Sequence, residues 1–243
     1  GGGLDRILEA GTLRVGMSGS QPPLNFESKS SGKRGLEVDL AKSIAGLMGV
    51  KLEIVTQPFG KLLSTLEGGD VDLVMSGMTI TAERSAKVAF VGPYFLSGKS
   101  ILTSSSQLAQ IEGADSLDEA GLKLVALGGS TSEAFVRTRA PKAELVTTSN
   151  YDEAVALLLD GKAGALVADR EIVALTAFLN PKAGLATLRQ PLTIEPIGIA
   201  IRAGDPLLET YLRNALNSLE VSGVLNGLRS RWLERSDWVQ ELP

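Results

Sequence analysis

The chain contains no cysteine and no histidine among its 243 residues. Without cysteine it can form no disulfide, no thiolate nucleophile and no cysteine-ligated zinc site. Without histidine it lacks the side chain that most often serves as a general acid–base group or as a transition-metal ligand. Any catalytic chemistry therefore has to use Asp, Glu, Lys, Tyr or Ser, and we expect neither a metal site nor a cofactor.

The chain also lacks an excess of basic residues and long apolar runs. It has 24 Lys and Arg against 28 Asp and Glu, and the net charge of −4 argues against nonspecific nucleic-acid binding, which depends on neutralising phosphates. Apolar runs such as Leu157–Leu159 and Ala165–Ala168 are far too short to span a bilayer. The glycine triplet Gly1–Gly3 indicates a trimmed terminus, from which we expect a signal peptide to have been removed.

Strand-like and helix-like runs alternate along the chain, which predicts βαβ units with mostly parallel sheets. The predicted strands are Leu13–Met17, Leu52–Thr56, Val71–Ser76, Lys99–Ser104, Leu124–Leu127, Glu144–Thr147, Ala165–Ala168 and Ile197–Ile201. The predicted helices are Val38–Met48, Lys61–Leu66, Glu133–Ala140, Tyr151–Leu159, Glu171–Leu179, Pro206–Ser222 and Leu225–Leu233. Ser130 and Asn150 are predicted to cap the helices that follow them, and Gly161 to end the second of these helices.

Two extended passages predict crossings between two lobes. One follows Ser97-Gly98-Lys99, and the other lies between Pro191 and Pro196. We therefore expect a discontinuous outer lobe of residues 1–98 and 197–243, a middle lobe of residues 99–196, and hinge strands near 98–103 and 191–197. Periodicity permits this division without requiring it.

A first candidate anion site lies in residues 77–84, where a short helix follows an apolar run. A helix N-terminus offers unsatisfied N–H groups, and Arg84 adds a planar fork that can hold a carboxylate through two hydrogen bonds. A surface arginine in a first helical turn would give the same pattern.

A second candidate site lies in the strand-to-helix junction of residues 128–133, with Thr131 and Ser132 as its ligand-binding residues. A well-capped helix explains this pattern equally well. Asp169 ends the apolar run 165–168, at the edge where open α/β sheets bind ligands, although it could instead cap the next helix. An arginine with hydroxyls on one side and a carboxylate on the other suits a zwitterion such as a free α-amino acid.

Ordered motifs cover nearly the whole chain, from about Leu4 to Leu233. They are Leu13-Arg14-Val15-Gly16 with Pro22-Pro23, Gly35 to Leu40, Gly77 to Arg84, Phe90 with Pro93-Tyr94, Gly129-Ser130-Thr131, Asp169, and Gly198 to Arg202 with Gly204-Asp205-Pro206. In these motifs the chain resembles the polar amino-acid family (family 3) of periplasmic solute-binding proteins, the receptor components of ABC importers. The resemblance implies an α/β, two-lobed type II periplasmic-binding fold, each lobe a mostly parallel sheet flanked by helices, with the cleft between the lobes.

The resemblance also implies roles for the candidate residues. Arg84 would clamp the ligand α-carboxylate, and Thr131 would donate to that carboxylate from the opposite lobe. The Gly77 carbonyl and the Thr79 hydroxyl would approach the α-ammonium group, whose charge Asp169 would neutralise. The implied partners are a free amino acid and a membrane permease, and the implied location is the periplasm, or a lipid anchor outside the cytoplasm of a Gram-positive cell. We expect a monomer.

The remaining pocket positions bear on the ligand side chain. Phe59 would form an aromatic wall, unless it is simply a core residue. Ser18 and Gln21 stand where relatives often carry an acid and an aromatic residue, and Gly128 stands where some carry a lysine. Loss of the acid argues against a cationic ligand, so an uncharged or polar amino acid is expected.

Two alternatives remain open at this point. Cyclohexadienyl dehydratases resemble the same family and convert prephenate or arogenate with a carboxylic acid as proton donor. Ile172 occupies the position expected for that acid, and the neighbouring Glu171 is expected to point elsewhere, so we expect no enzyme. The other alternative is the ligand-binding sensor domain of a membrane receptor, which would use the same residues.

Overall fold

The computed structural model describes residues 2–243, so Gly1 of the predicted outer lobe lies outside the described residues. The strands are β1 Thr12–Met17, β2 Ser20–Gln21, β3 Asn25–Glu27, β4 Lys33–Arg34, β5 Lys51–Thr56, β6 Leu73–Val74, β7 Val88–Ser97, β8 Lys99–Thr103, β9 Lys123–Leu127, β10 Glu144–Thr148, β11 Ala165–Asp169, β12 Ala186–Thr187 and β13 Glu195–Arg202. The helices are α1 Gly3–Ala10, α2 Leu36–Met48, α3 Leu62–Glu67, α4 Ala82–Ser85, α5 Thr131–Arg139, α6 Tyr151–Leu159, α7 Arg170–Leu179, α8 Pro206–Val221 and α9 Val224–Arg229. They fall into two compact units: unit 1 is the chain as far as Leu96 with Pro196–Pro243, and unit 2 is Ser97–Glu195.

Unit 1 is built on a sheet with the strand order β5-β1-β6-β13-β7. β1 is parallel to β5 and β6, whereas β13 is antiparallel to β6. Leu13 and Val15 of β1 and Leu40 and Ile44 of α2 are fully buried, so the apolar positions of the strand and the helix form one core. The carboxyl end of β1 leads into Ser18, which brings this candidate residue to one edge of the sheet.

Unit 2 is built on a sheet with the strand order β10-β9-β11-β8-β12. β9 is parallel to its neighbours β10 and β11, but β8 runs antiparallel to β11. This reversal pairs the first residue of β8, Lys99, with the last residue of β11, Asp169. The register therefore places a lysine beside the candidate acid.

The α/β class predicted from the sequence is confirmed, and so are the helix starts at Ser130 and Asn150. Each of these side chains accepts a hydrogen bond from the backbone N–H three residues later, at 3.3 Å and 2.8 Å. Gly161 follows α6 with a φ of +73°, a left-handed conformation that glycine adopts without a steric penalty.

Several element predictions need correction. β6 spans only Leu73–Val74, not residues 71–76, since only these two residues pair with β1. The last predicted helix, residues 225–233, is α-helical only as far as Arg229, and a π-helical turn follows it as far as Glu234. The sequence pattern also missed α1, the small antiparallel sheet β2-β3-β4, and β7, in which Gly92-Pro93 interrupts the apolar alternation. Within residues 2–243, no helix has both the length and the apolar character needed to cross a membrane.

Candidate functional site

Arg84 lies in the short helix α4 and is held by neighbours within unit 1. The Thr81 hydroxyl oxygen caps the helix by accepting from the Arg84 backbone N–H at 3.1 Å. The Arg84 Nη1 donates to the Thr79 carbonyl oxygen at 2.8 Å, and its Cζ atom lies 5.9 Å from the centre of the Phe59 ring. The carbonyl and the ring face hold the guanidinium, a group whose planar fork matches a carboxylate.

Gly77 lies close to Arg84 along the chain and adopts a φ of +61°. A Cβ atom at this position would lie 3.1 Å from Leu24 Cδ1 and 3.2 Å from Gln21 Nε2. A side chain would therefore be strained by its backbone and crowded by its neighbours, which explains why the position is glycine. Thr79 is buried and forms an isolated β-bridge with Ile197.

Ser18 and Gln21 are brought together with this segment in unit 1. The Ser18 hydroxyl donates to Gln21 Oε1 at 2.6 Å, and the Ser76 hydroxyl makes a short hydrogen bond to the same oxygen. Gln21 is buried, at 4% exposed. These polar side chains are hydrogen-bonded to one another and carry no charge. They therefore offer no negative charge to a cationic ligand side chain.

Glu37 is a buried acid that sequence reasoning missed. It is 0% exposed and accepts hydrogen bonds from Gly77 N–H at 2.7 Å, from Asn25 Nδ2 at 2.9 Å and from the Tyr94 hydroxyl. Burial raises the pKa of Glu37, while these three hydrogen bonds favour its ionised form. The available signal was its place between Leu36 and Val38, on the apolar side of a helix that begins there.

In unit 2, Lys99 joins two of the predicted ligand-binding residues. Its Nζ atom donates to Asp169 Oδ1 at 2.6 Å and to Thr131 Oγ1 at 2.5 Å, and the Glu195 carboxylate lies 3.9 Å away. The Lys99 side chain is 1% exposed, so this is a buried ion pair. From the sequence, Lys99 was assigned to a predicted strand and to a crossing between lobes, but not to the site.

The alternative roles of Asp169 and Thr131 can now be compared with the structure. Asp169 occupies the cap position of α7, but its side chain accepts no hydrogen bond from that helix; it pairs with Lys99 instead. Thr131 begins α5, with Ser130 as the cap and Ser132 buried in the first turn. Unit 2 thus brings Thr131, Asp169 and Lys99 together, while Ser132 lies inward.

Glu171 lies next to Ile172 and was expected to point elsewhere on the helix, and its carboxyl group lies against Ser97. Its carboxyl group is turned onto the Ser97 hydroxyl, which donates to its two oxygens at 3.0 Å and 2.7 Å. Burial, followed by the negative charge of Asp169, raises the pKa of Glu171 to about 8, against the opposing effects of Ser97 and Lys99. Ile172 is packed in the apolar core of unit 2, so the acid of this helix lies at position 171.

The raised pKa of Glu171 predicts that stability depends on pH. Its ordinary pKa of 4.5 becomes about 8 in the folded protein, so the folded chain holds a proton that the unfolded chain releases between these values. The stabilisation is complete below the lower pKa and is lost as the pH rises through the higher one, at up to about 1.4 kcal/mol per pH unit. We expect Glu171→Gln to flatten the fall in melting temperature between about pH 5 and pH 8. Parallel curves for the variant and the parent would contradict this assignment.

Comparisons with known proteins agree with the resemblance in the sequence motifs. The family model for bacterial extracellular solute-binding proteins, family 3, matches residues 13–235. The chain is 29% identical over 231 residues to the cyclohexadienyl dehydratase of Pseudomonas aeruginosa, covering 95% of this chain and 86% of that protein. It is 31% identical over 213 residues to the ABC transporter glutamine-binding protein GlnH of Bacillus subtilis, covering 86% of this chain and 76% of that protein.

A solved structure extends the similarity to three dimensions. The ancestral amino acid-binding protein AncCDT-1, a precursor of cyclohexadienyl dehydratase, matches with a TM-score of 0.88 and 36% identity, covering 95% of this chain and 99% of that one. The fold is therefore shared with a protein that binds amino acids, while the sequence is also similar to that of an enzyme.

Proposed function

Because the chain belongs to the bacterial extracellular solute-binding proteins, family 3, we propose that it is the receptor of an ABC importer and binds a free amino acid. The observation that carries the proposal is Arg84, whose guanidinium is held by the Thr79 carbonyl and the Phe59 ring. A fixed guanidinium of this kind suits the planar α-carboxylate that every free amino acid carries. We place the protein in the periplasm, or outside the cytoplasm on a lipid anchor, as a monomer that delivers its ligand to a permease.

The second pole of the ligand would be bound by unit 2. One oxygen of Asp169 accepts from Lys99 at 2.6 Å, and the other oxygen is the atom we assign to the ligand α-ammonium group. Thr131 accepts from Lys99, since an ammonium group can only donate. We assign Thr131 to the ligand carboxylate on the family resemblance. We propose that the strands near residues 98–103 and 191–197 act as the hinge between the two units.

The ligand side chain is proposed to be uncharged or polar. Ser18 and Gln21 are bonded to each other and supply no anion, while Lys99 places a positive charge beside Asp169. A second cation on the ligand would therefore find no carboxylate in Ser18 or Gln21 with which to pair.

A thermal-shift panel of the common amino acids tests this proposal. A ligand that binds only the folded protein raises the melting temperature by mass action, by an amount that grows with its concentration. We expect an uncharged or polar amino acid to give the largest shift, and arginine and lysine to give little. A panel without any response would contradict amino-acid binding, whereas a largest shift with arginine would contradict only the proposed side-chain class.

An enzymatic function is the second candidate, and Glu171 is the observation that favours it. Its pKa of about 8 keeps a proton available near neutral pH, which is what a general acid requires. We propose that the protein is nonetheless not an enzyme, because Ile172, at the position where the resemblance leads us to expect the acid of a dehydratase, is packed in the apolar core of unit 2. Absorbance of phenylpyruvate formed from prephenate separates the two functions, and we expect no turnover. Turnover that Glu171→Gln abolishes would instead establish a dehydratase.

A further inference from the structure

We propose that Glu37 is the positioning residue for the amino-acid site of unit 1, an inference that rests on the proposed function. Glu37 is fully buried in the first turn of α2, so it acts through its neighbours. Its carboxylate holds both chain segments that carry candidate ligand-binding residues, namely 18–21 and 77–79.

Glu37 holds the segment 77–79 directly. Gly77 N–H donates to Glu37 Oε2 at 2.7 Å, and Gly77 has a left-handed backbone conformation. This bond fixes the rotation of the chain where it leaves β6. Two residues later, the Thr79 carbonyl accepts from Arg84. The backbone conformation of Gly77 therefore sets the path of residues 77–79, whose Thr79 carbonyl accepts from Arg84.

Glu37 holds the segment 18–21 through Asn25. Its Nδ2 donates to Glu37 Oε1 at 2.9 Å, and its Oδ1 accepts from Gly19 N–H at 2.6 Å. Because one amide makes these contacts at its two ends, the orientation of Asn25 is determined. Glu37 thus fixes the loop that follows β1 as well as the loop that follows β6.

This geometry requires a group that only accepts hydrogen bonds. Gly77 N–H and the Asn25 amide nitrogen donate to different oxygens of Glu37. A glutamine has one oxygen and one NH₂ group, so either orientation would turn its NH₂ group toward one of these two donors. Asn25 cannot turn over in response, because its oxygen already accepts from Gly19. Glu37→Gln keeps the shape of the side chain and should displace at least one of the two segments.

The test compares Glu37→Gln with Asp72→Asn, a matched change of a buried acid in the same unit. Asp72 is 3% exposed and accepts from the backbone and the guanidinium of Arg14 at 2.9 Å and 3.0 Å. Both variants should melt at a lower temperature than the parent. We expect only Glu37→Gln to weaken binding of the best amino acid from the panel in calorimetry, by about tenfold or more. Parent affinity in Glu37→Gln, or an equal loss in Asp72→Asn, would overturn the proposal.

Hydrogen exchange of the unliganded protein provides a readout that does not depend on the ligand. Glu37→Gln should speed exchange at the Gly77 amide, at the Gly19 amide or at both, while Asp72→Asn should leave both amides protected. Unchanged protection of both amides in Glu37→Gln would overturn the positioning role. If the parent binds no amino acid, the proposed function fails, but exchange at these two amides still decides the role of Glu37.

Two further variants distinguish a loss of positioning from a general folding defect. Tyr94→Phe removes the third donor to Glu37 and leaves both segments held, so we expect parent affinity and parent exchange at Gly77. Asn25→Ala replaces Glu37→Gln if that variant does not fold. It removes the link between Glu37 and Gly19 but leaves the bond from Gly77 N–H to Glu37 in place. Exchange at Gly19 must then rise while Gly77 stays protected; protection at both positions would contradict the positioning role.

Discussion

Replacing Arg84 by alanine is expected to abolish tight amino-acid binding. The change removes the only guanidinium assigned to the ligand carboxylate and would leave that carboxylate buried without its counter-charge. Breaking a buried, hydrogen-bonded ion pair by removing one partner costs about 3–5 kcal/mol, which corresponds to a loss of affinity of roughly 100-fold or more. Calorimetric titration with the best ligand of the amino-acid panel measures this loss.

Arg213→Ala is the matched control for Arg84→Ala. Arg213 is also an arginine of unit 1, but its side chain is 60% exposed and forms a surface pair with Glu209 at 3.0 Å. We expect its loss to leave affinity unchanged, because exposed pairs contribute little. Arg84→Lys keeps the charge and loses the fork, so it should bind with intermediate affinity. If Arg84→Ala bound amino acids as the parent does, the assignment of the carboxylate site would be wrong.

Replacing Lys99 by methionine is expected to destabilise the protein strongly. Methionine has a similar length but no charge, so the Asp169 carboxylate would lose the ammonium group that now lies 2.6 Å from its Oδ1. An uncompensated charge in a buried setting costs about 3–5 kcal/mol. Denaturant unfolding at neutral pH measures the loss of free energy, and circular dichroism shows whether the native fold forms at all.

Lys123→Met is the control for this second prediction. Lys123 also lies in a strand of unit 2, but its side chain is 43% exposed and its Nζ atom lies 3.9 Å from Glu144 Oε1, which is a long, exposed pair. Its loss should therefore be nearly neutral for stability. The double variant Lys99→Met/Asp169→Asn removes the orphaned charge and should recover part of the stability, though not the binding. A Lys99→Met variant as stable as Lys123→Met would show that the pair is not important for stability.

Local patterns predicted much of the fold. The periodicity of α2 and the caps at Ser130 and Asn150 depend on residues within one helical turn, and these elements agree with the structure. β7 was missed because Gly92 and Pro93 lie inside it and break its pattern. The short strands β2, β3 and β4 were missed because two or three residues hold no periodicity.

The candidate site was predictable only in its local parts. Arg84 and Asp169 follow recognisable strand ends, and the resemblance named them both. Lys99 was missed because its contact with Asp169 arises from the antiparallel register of β8 and β11, across 70 residues of sequence. Glu37 was missed for the same reason, since its donor Gly77 lies 40 residues away. Pairings at such distances depend on how strands are arranged, and no local pattern states that arrangement.

The central claim is that the protein binds both charged ends of one small dipolar molecule. One calorimetric series tests this claim most directly. The parent protein is titrated with its best amino acid, with the amine that lacks the carboxylate, and with the acid that lacks the α-ammonium group. We predict that each analogue binds roughly 100-fold more weakly or worse, because it lacks the group assigned either to Arg84 or to the second oxygen of Asp169. An analogue that lacks one pole and binds as tightly as the amino acid would contradict the claim.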